Sequence, residues 1–277
     1  MPIINVASTL EYSVNTPTIF VFSIVPAETP HQRIVEENLM LSPQLDYEWL
    51  QVGEENIRNI RLEVQPGVFR LDYQATVELT PAVDNAPQLD EAIYQSLPAE
   101  VLPYLNPSRY CESDRLTLFA SKEFGTQPAG HARVEAICDW VNGHIDYISG
   151  STDASSSACD VLVSRAGVCR DFAHVSIALC RALGIPARYI SGYAVDLQPP
   201  DFHGFFEAFL DGKWYLFDAT RMAPVSGFVR IGLGRDAADA SFGTIVGSAN
   251  LQNMQVSALD KTSATGNEQP DEAISTA

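Results

Sequence analysis

Positive charge is what this sequence has least of: 17 Lys and Arg stand against 35 Asp and Glu, a formal net charge of −18. A field of that sign repels phosphate backbones and anionic lipid surfaces, so neither nucleic acid nor membrane is an expected partner. Long apolar runs are also missing. The densest, IFVFSIV at 19–25, falls far short of the roughly 20 residues that a membrane helix needs. The opening stretch MPIINVASTLEYSV has no basic segment followed by an apolar core. No secretory signal is read there, and a cytoplasmic location is expected. No cysteine pair is spaced CxxC, and the five cysteines, Cys111, Cys138, Cys159, Cys169 and Cys180, are odd in number. Reduced thiols are therefore expected rather than a disulfide framework. Cys138 and His144 are near one another, but a zinc site needs a second ligand pair that is not there. No EF-hand loop occurs either. No metal and no cofactor are expected.

The 277 residues suffice for one large domain or two modest ones, and 46% hydrophobic residues suffice for a full core. Residues 1–82 read as β-rich: TIFVFSIV, HQRIVEENLML, RNIRLEVQ and VFRLDYQATVEL alternate with the turn signals VPAETP, QVGEEN and QPG. An antiparallel, sandwich-like domain fits this spacing. Composition changes at TPAVDNAP, 80–87. Beyond it LDEAIYQSL reads as a short helix, and SDRLTLFASKEFG as a helix capped by Ser113 and stopped by Gly125. HARVEAICDWVNGHIDY sets Val134, Ile137, Cys138, Val141 and Ile145 on one face, so Cys138 reads as core. SSACDVLVSR is a further short segment. From about 251 the chain turns polar and loses its aromatics, which predicts a disordered tail over 251–277. The chain thus divides into a β domain, 1–82, an α+β core with helices packed on an antiparallel sheet, 83–250, and that tail.

Within GVCRDFAHVSIALCRALGIP, Cys169 opens a helix that Gly184 and Pro186 end. A helix N-terminus carries free N–H groups and about half a positive charge, which stabilise a thiolate and can receive an oxyanion. A buried, inert helix-start cysteine is the competing reading, slightly favoured by this stretch alone.

The following segment changes that balance. HGFFEAFL and KWYLFDAT read as strands joined by an Asp211-Gly212 turn. A two-residue turn pairs Leu210 with Lys213, which sets His203 opposite Thr220 and Phe205 opposite Asp218. His203 and Asp218 then become diagonal neighbours on one face. A one-residue slip would part them. Such a carboxylate fixes the imidazole tautomer and stabilises its charged form. His174 lies five residues beyond Cys169, about 140° around the helix, and reads as a packed histidine. His131 and His144 bracket a helix, and His31 lies in the β domain.

Taken together, GVCRDFAHVSIALCRALGIPARYISGY, DFHGFFEAFLDGKWYLFDAT and RIGLGRDAAD resemble the bacterial transglutaminase-like superfamily, whose core is related to papain-like cysteine proteases. The motifs cover about 150–245, and the β-rich segment resembles the domain that precedes the core in many bacterial members. The resemblance implies a triad with Cys169 as nucleophile, His203 as base and acid, and Asp218 as orienting carboxylate. The family motif HAW, followed by an acidic residue, is here HGFFE: Gly204 and Phe205 replace Ala and Trp, and Glu207 keeps the acidic position. The Trp-to-Phe change is expected to alter the acyl-binding wall. No glutamine matches the papain-like oxyanion donor, and Ser157 and Asp160 are weak candidates for that place. Arg170, Asp171, Glu207, Arg235 and Asp236 read first as structural charges: Glu207 either supports His203 or pairs with a buried base, and Arg235 and Asp236 either form an ion pair or rim the cleft.

A triad of this kind implies a thioester on Cys169, formed from an amide and resolved by water or by an amine. Hydrolysis of a protein or peptide substrate is expected first and transamidation second. A non-catalytic binding module on the same fold is the rival from another class.

Overall fold

The computed structural model describes residues 1–53, 56–266, 269 and 271–277. The first strand, β1 (Ile3–Val14), alternates buried and half-buried residues along its whole length, the period-two signature of a sheet with one covered face. It is followed by β2 (Thr18–Phe22), β3 (Gln32–Ser42), β4 (Glu48–Val52), β5 (Ile57–Val64), β6 (Gly67–Leu79) and β7 (Ala82–Asn85). The four segments read as strands lie within or across these elements. Tyr12, Phe20, Phe22 and Phe69 fill the space between the layers, with the Phe20 and Phe22 rings stacked 5.2 Å apart.

Four helices come next: α1 (Ser113–Phe124), α2 (His131–His144), α3 (Ala158–Ser164) and α4 (Cys169–Ala182). Two short strands, β8 (Asp146–Tyr147) and β9 (Ala166–Gly167), pair in parallel between them. The remaining strands are β10 (Ala187–Ala194), β11 (Phe202–Leu210), β12 (Lys213–Phe217), β13 (Phe228–Gly234), β14 (Gly243–Val246), β15 (Ala249–Asp260) and β16 (Glu272–Ser275). An antiparallel sheet, in the order β12-β11-β10-β13, carries α4 on one face. The helix is buried continuously from Asp171 to Arg181 because α1, α2 and α3 surround it. On α2, Val134, Ile137, Cys138 and Val141 all face the core, as their spacing predicts.

Two readings of local structure are corrected. LDEAIYQSL is not an α-helix: Glu91 bridges to Leu210, and only Tyr94–Ser96 form a single 3-10 turn. Its backbone is committed elsewhere, since Asp90 O accepts from Asp211 N–H at 3.0 Å and Leu89 O from His131 N–H at 3.1 Å. Ser113 is the first helical residue of α1, with Glu112 at the cap position.

The larger correction concerns 251–277. Instead of a disordered tail, most of that segment is sheet. β15 pairs with β1 from Ile4–Asp260 to Val14–Ala249, giving the order β15-β1-β6-β3. The Asp260 carboxylate then folds the chain by accepting the N–H groups of Thr262, Ala264 and Thr265. β16 pairs with β7 and buries Ala273 and Ile274. Residues 267, 268 and 270 of the expected tail lie outside the described residues. Polarity misleads here because β15 is an edge strand whose side chains are exposed or half-buried, with only Val256 buried. Backbone pairing holds it. β14 likewise joins the second β-sheet, in the order β14-β2-β5-β4. The β domain that begins the chain is therefore completed by strands from 243–260.

The two layers of the molecule share a core. Tyr193 on β10 donates its hydroxyl to Ile24 O at 2.7 Å, and Gln32 donates to Ala27 O and Arg230 O at 2.6 and 2.8 Å. Tyr193, Val229 and Ile231 belong to the same apolar cluster as the β-domain aromatics.

Candidate active site

Cys169 is the first residue of α4, and its position depends on a tight approach beneath it. The Asp171 carboxylate turns back to accept the N–H of Val168 at 2.9 Å, closing the helix start. A Cβ at Gly167 would lie 2.8 Å from Asp171 Cβ, so the glycine in GVC allows this cap to form. Arg170 grips Asp171 Oδ1 with Nε and Nη2 at 3.1 and 3.0 Å, and also reaches Thr152 Oγ1 and Asp153 O, both at 3.1 Å. Arg170 and Asp171 thus fasten the 148–157 loop to the helix tip.

The hairpin has the register that its turn predicts. Asp211 and Gly212 have φ of 45° and 84°, Leu210 pairs with Lys213, and Phe206 pairs with Phe217. His203 Nε2 and Asp218 Oδ2 lie 2.8 Å apart, both side chains almost wholly buried. Thr220 donates its N–H and its hydroxyl to the same carboxylate at 2.9 and 2.8 Å. With Nε2 taken, Nδ1 is the ring nitrogen left without a hydrogen bond, and Cys169 lines the same cleft as the imidazole. Burial opposes a charge on the ring. The Asp218 carboxylate, with its hydrogen bond, and Cys169 outweigh burial and raise His203 to about 10. The structure therefore brings all three triad candidates, Cys169, His203 and Asp218, into one site.

His174 is not part of it. Its Nε2 accepts the N–H of Ala237 at 3.0 Å, its ring stacks on Tyr110 at 5.0 Å, and burial, with Arg170 and Arg181 nearby, holds it well below its ordinary value. Burial pushes the Cys111 thiol up to about 12 and raises Cys138 and Cys180 as well.

Several expected roles move. Ser157 and Asp160 are no oxyanion donors: they cap α3, where Asp160 Oδ2 accepts both the N–H and the hydroxyl of Ser157 at 2.9 Å. Arg235 pairs with Asp239 at 2.9 Å, not with Asp236, which accepts the N–H of Tyr110 at 2.8 Å. Glu207 keeps the structural role read for it, as a buried counter-ion 2.6 Å from Arg188 and also paired with Arg230. Phe205 packs beneath the histidine against Phe228, at 4.2 Å between rings, and not on the acyl side. Gly204 faces the cleft, and a Cβ there would meet the Tyr189 hydroxyl at 2.4 Å. Tyr189 thus fills the space that an alanine in this motif would claim.

The cleft over Cys169 and His203 has a volume of about 390 Å³. Tyr189, Phe202, Phe242 and Met254 form much of its wall, and Arg170 and Asp201 are its charged lining groups. Met254 comes from β15, so the last long strand of the β domain helps to shape the site. Sequence reasoning missed this because it read that strand as a tail. It also missed Tyr147, which pairs opposite Gly167 and tilts its ring against Phe172 at the start of α4, 5.8 Å between centroids. Its one sequence signal is a tyrosine following an amphipathic helix a short way upstream of the nucleophile. Among the described residues no group of three His, Cys, Asp or Glu side chains is arranged to hold a metal ion, and no helix is long and apolar enough to cross a membrane.

A helix-start thiol, a strand-borne histidine and a carboxylate just past the end of the paired strand, behind a β domain, define the transglutaminase-like architecture. The profile of the transglutaminase-like superfamily matches residues 119–219, and that of the bacterial transglutaminase N-terminal domain matches residues 3–100. A solved structure of a candidate cysteine protease from Cytophaga hutchinsonii is 41% identical, with a TM-score of 0.94 over 99% of this chain and 97% of its own. The chain belongs to the transglutaminase-like superfamily. An uncharacterised protein of Mycobacterium leprae is 30% identical over 149 residues, 50% of this chain and 52% of its own length. One from Mycobacterium tuberculosis is 50% identical over 54 residues, 20% of this chain and 17% of its own. The chain thus matches about half the length of the first of these curated relatives and less of the second.

Proposed function

We propose that this protein is a cysteine hydrolase that cleaves amide bonds in protein or peptide substrates through a thioester on Cys169. The observation that carries the reading is the polarity of His203: Nε2 is committed to Asp218 at 2.8 Å, so the ring can exchange protons only through Nδ1, and Cys169 lines the same cleft. The thiolate sulfur adds to the carbonyl carbon, and the C=O π pair moves to oxygen. Collapse of that oxyanion breaks the C–N bond, and the departing amine takes the proton from His203 Nδ1. Water then adds to the thioester, giving its proton back to Nδ1. Expulsion of the thiolate releases the acid.

Hydrolysis is preferred over transamidation because the relative from Cytophaga hutchinsonii is described as a candidate cysteine protease. The largely apolar wall favours an uncharged stretch of chain beside the scissile bond. Five free thiols suit a reducing compartment and support a cytoplasmic location. The binding-module reading is weakened because none of the three catalytic positions is substituted.

Mass spectrometry of a glutamine-containing peptide incubated with the enzyme, with and without dansylcadaverine, tests the reaction type. Backbone or carboxamide hydrolysis exceeding amine incorporation is expected. Amine incorporation that outruns hydrolysis would reverse the order, and no covalent chemistry at all would leave the binding module.

A further inference from the structure

We propose that the cleft takes a tyrosine side chain of the substrate beside the scissile bond, and that Ser191 is the specificity-determining residue that bonds its phenolic hydroxyl. The proposal rests on the acyl-transfer reading above and names a substrate class for that site.

Ser191 is the anomaly in the cleft floor. It lies within β10 and is 7% exposed, and its Oγ has no hydrogen-bond partner in the protein. Most buried hydroxyls are paired, because an unpaired one is costly. The neighbouring strands offer nothing to cover this one, since Ser191 pairs with Gly204 on β11 and with Gly232 on β13. Glycine on each side leaves a gap in the side-chain layer at this point of the sheet. A Cβ at Gly232 would lie 3.1 Å from Ser191 Oγ, so even an alanine there would crowd the hydroxyl. Residues two apart share a face, which sets Tyr189 beside Ser191 and Phe202 beside Gly204. All four line the cleft with Cys169 and His203. The Tyr189 hydroxyl lies over Gly204, the residue across from Ser191. Burial, and then the Cys169 charge, raise its pKa and keep it protonated at neutral pH. The floor thus carries two hydroxyls.

The wall selects for an aromatic ring. Phe202 and Phe242 stack at 5.3 Å with 17° between their planes, and Met254 adds a polarisable thioether to the same wall. Arg170 is committed to Asp171 through Nε and Nη2, so an anionic side chain finds no free cation in the cleft. Phenylalanine would suit the rings and leave Ser191 unpaired. An aliphatic amide would pair with Ser191 and leave the rings unused. Tyrosine meets both, with its ring on the Phe202–Phe242 pair and its hydroxyl on Ser191. A site that bonds a substrate hydroxyl rejects the analogue that lacks it.

Affinity alkylation tests this without turnover. N-iodoacetyl-tyramine and N-iodoacetyl-phenethylamine differ by one hydroxyl. With each, the Cys169 sulfur displaces iodide, and a C–S bond forms as the C–I bond breaks. Labelling of wild type should be about 10-fold faster with the tyramine reagent, as one hydrogen bond to a buried hydroxyl gives. In Ser191→Ala that ratio should fall to about 1–2, while labelling by plain iodoacetamide and the melting temperature stay at wild-type values, because the hydroxyl has no protein partner to lose. Equal rates for the two reagents in wild type would overturn the proposal. So would a preference retained in Ser191→Ala, or a Ser191→Ala protein that melts well below wild type or loses iodoacetamide reactivity, since the hydroxyl would then be structural. A wild-type protein that labels selectly through Ser191 but cleaves no tyrosine peptide would refute the hydrolase reading and leave this proposal standing. Amide hydrolysis with no preference between the reagents would do the reverse.

Discussion

The Asp218 carboxylate meets His203 Nε2 at 2.8 Å across the open end of a hairpin and is fixed on its other side by Thr220. Two strands and one turn thus set the ring's orientation before any substrate arrives. The opposite nitrogen is left to the thiol at the tip of α4.

Asp218→Asn should therefore cost far more in rate than in binding. An amide can accept a hydrogen bond but does not stabilise the imidazolium, and it can invert the tautomer. A loss of about 10³- to 10⁴-fold in kcat is expected by analogy with other triads, with KM nearly unchanged. Steady-state kinetics with circular dichroism on the variant check this. A variant with wild-type kcat would place the chemistry elsewhere.

The same contact fixes the pH dependence. His203 is raised from 6.5 to about 10, so the protonated ring needed by the leaving amine persists through neutral pH. The alkaline limb of kcat/KM is expected near pH 10 and should move down in Asp218→Asn. Because the folded-state pKa lies above the unfolded one, the histidine's stabilisation is complete below about pH 6.5 and is lost as pH rises towards 10. Urea midpoints at pH 6, 8 and 10 should show this decline in wild type and much less of it in Asp218→Asn.

Glu207 offers a structural contrast. It is fully buried between Arg188 and Arg230, and Arg188 also lies over the Trp214 ring at 4.2 Å. Burial alone would raise its pKa, but the two arginines hold it below the ordinary carboxylate value. Glu207→Gln leaves two buried cations short of charge and should destabilise the fold by about 3–5 kcal/mol. The wild-type contribution is present above the ordinary carboxylate pKa and disappears as pH falls through the lowered one. Urea denaturation of both proteins at neutral and acid pH measures each effect.

Removing residues 249–277 discriminates a sheet strand from a loose tail. Without β15, the β1 edge is unpaired and the cleft loses Met254. The shortened chain should aggregate or melt well below the full-length protein in differential scanning calorimetry. An unchanged transition would contradict the pairing.

Sequence periodicity and turn chemistry exposed much of this. Alternation along β5 and β6, the Asp211-Gly212 turn and the Gly184–Pro186 stop are local signals, and the tertiary structure keeps them. The hairpin register carried His203 to Asp218 because a two-residue turn leaves no freedom to slip. What stayed hidden depends on partners remote in sequence. β15 is polar because it is an edge, so composition does not separate it from a tail. Asp236 abandons Arg235 for the Tyr110 backbone, and LDEAIYQSL gives its carbonyls to a helix start and a hairpin. Tyr147 reaches the start of α4 through a two-residue parallel pair, too short to have a pattern.

Intact-protein mass spectrometry after rapid acid quench, using an activated acyl ester as donor, tests the central claim most directly. The wild-type protein should gain one acyl mass on Cys169, the adduct should decay in water, and Cys169→Ala should gain none. Formation on Cys169 at the same rate in His203→Ala, or an adduct confined to other residues, would contradict a thiol–imidazole–carboxylate site.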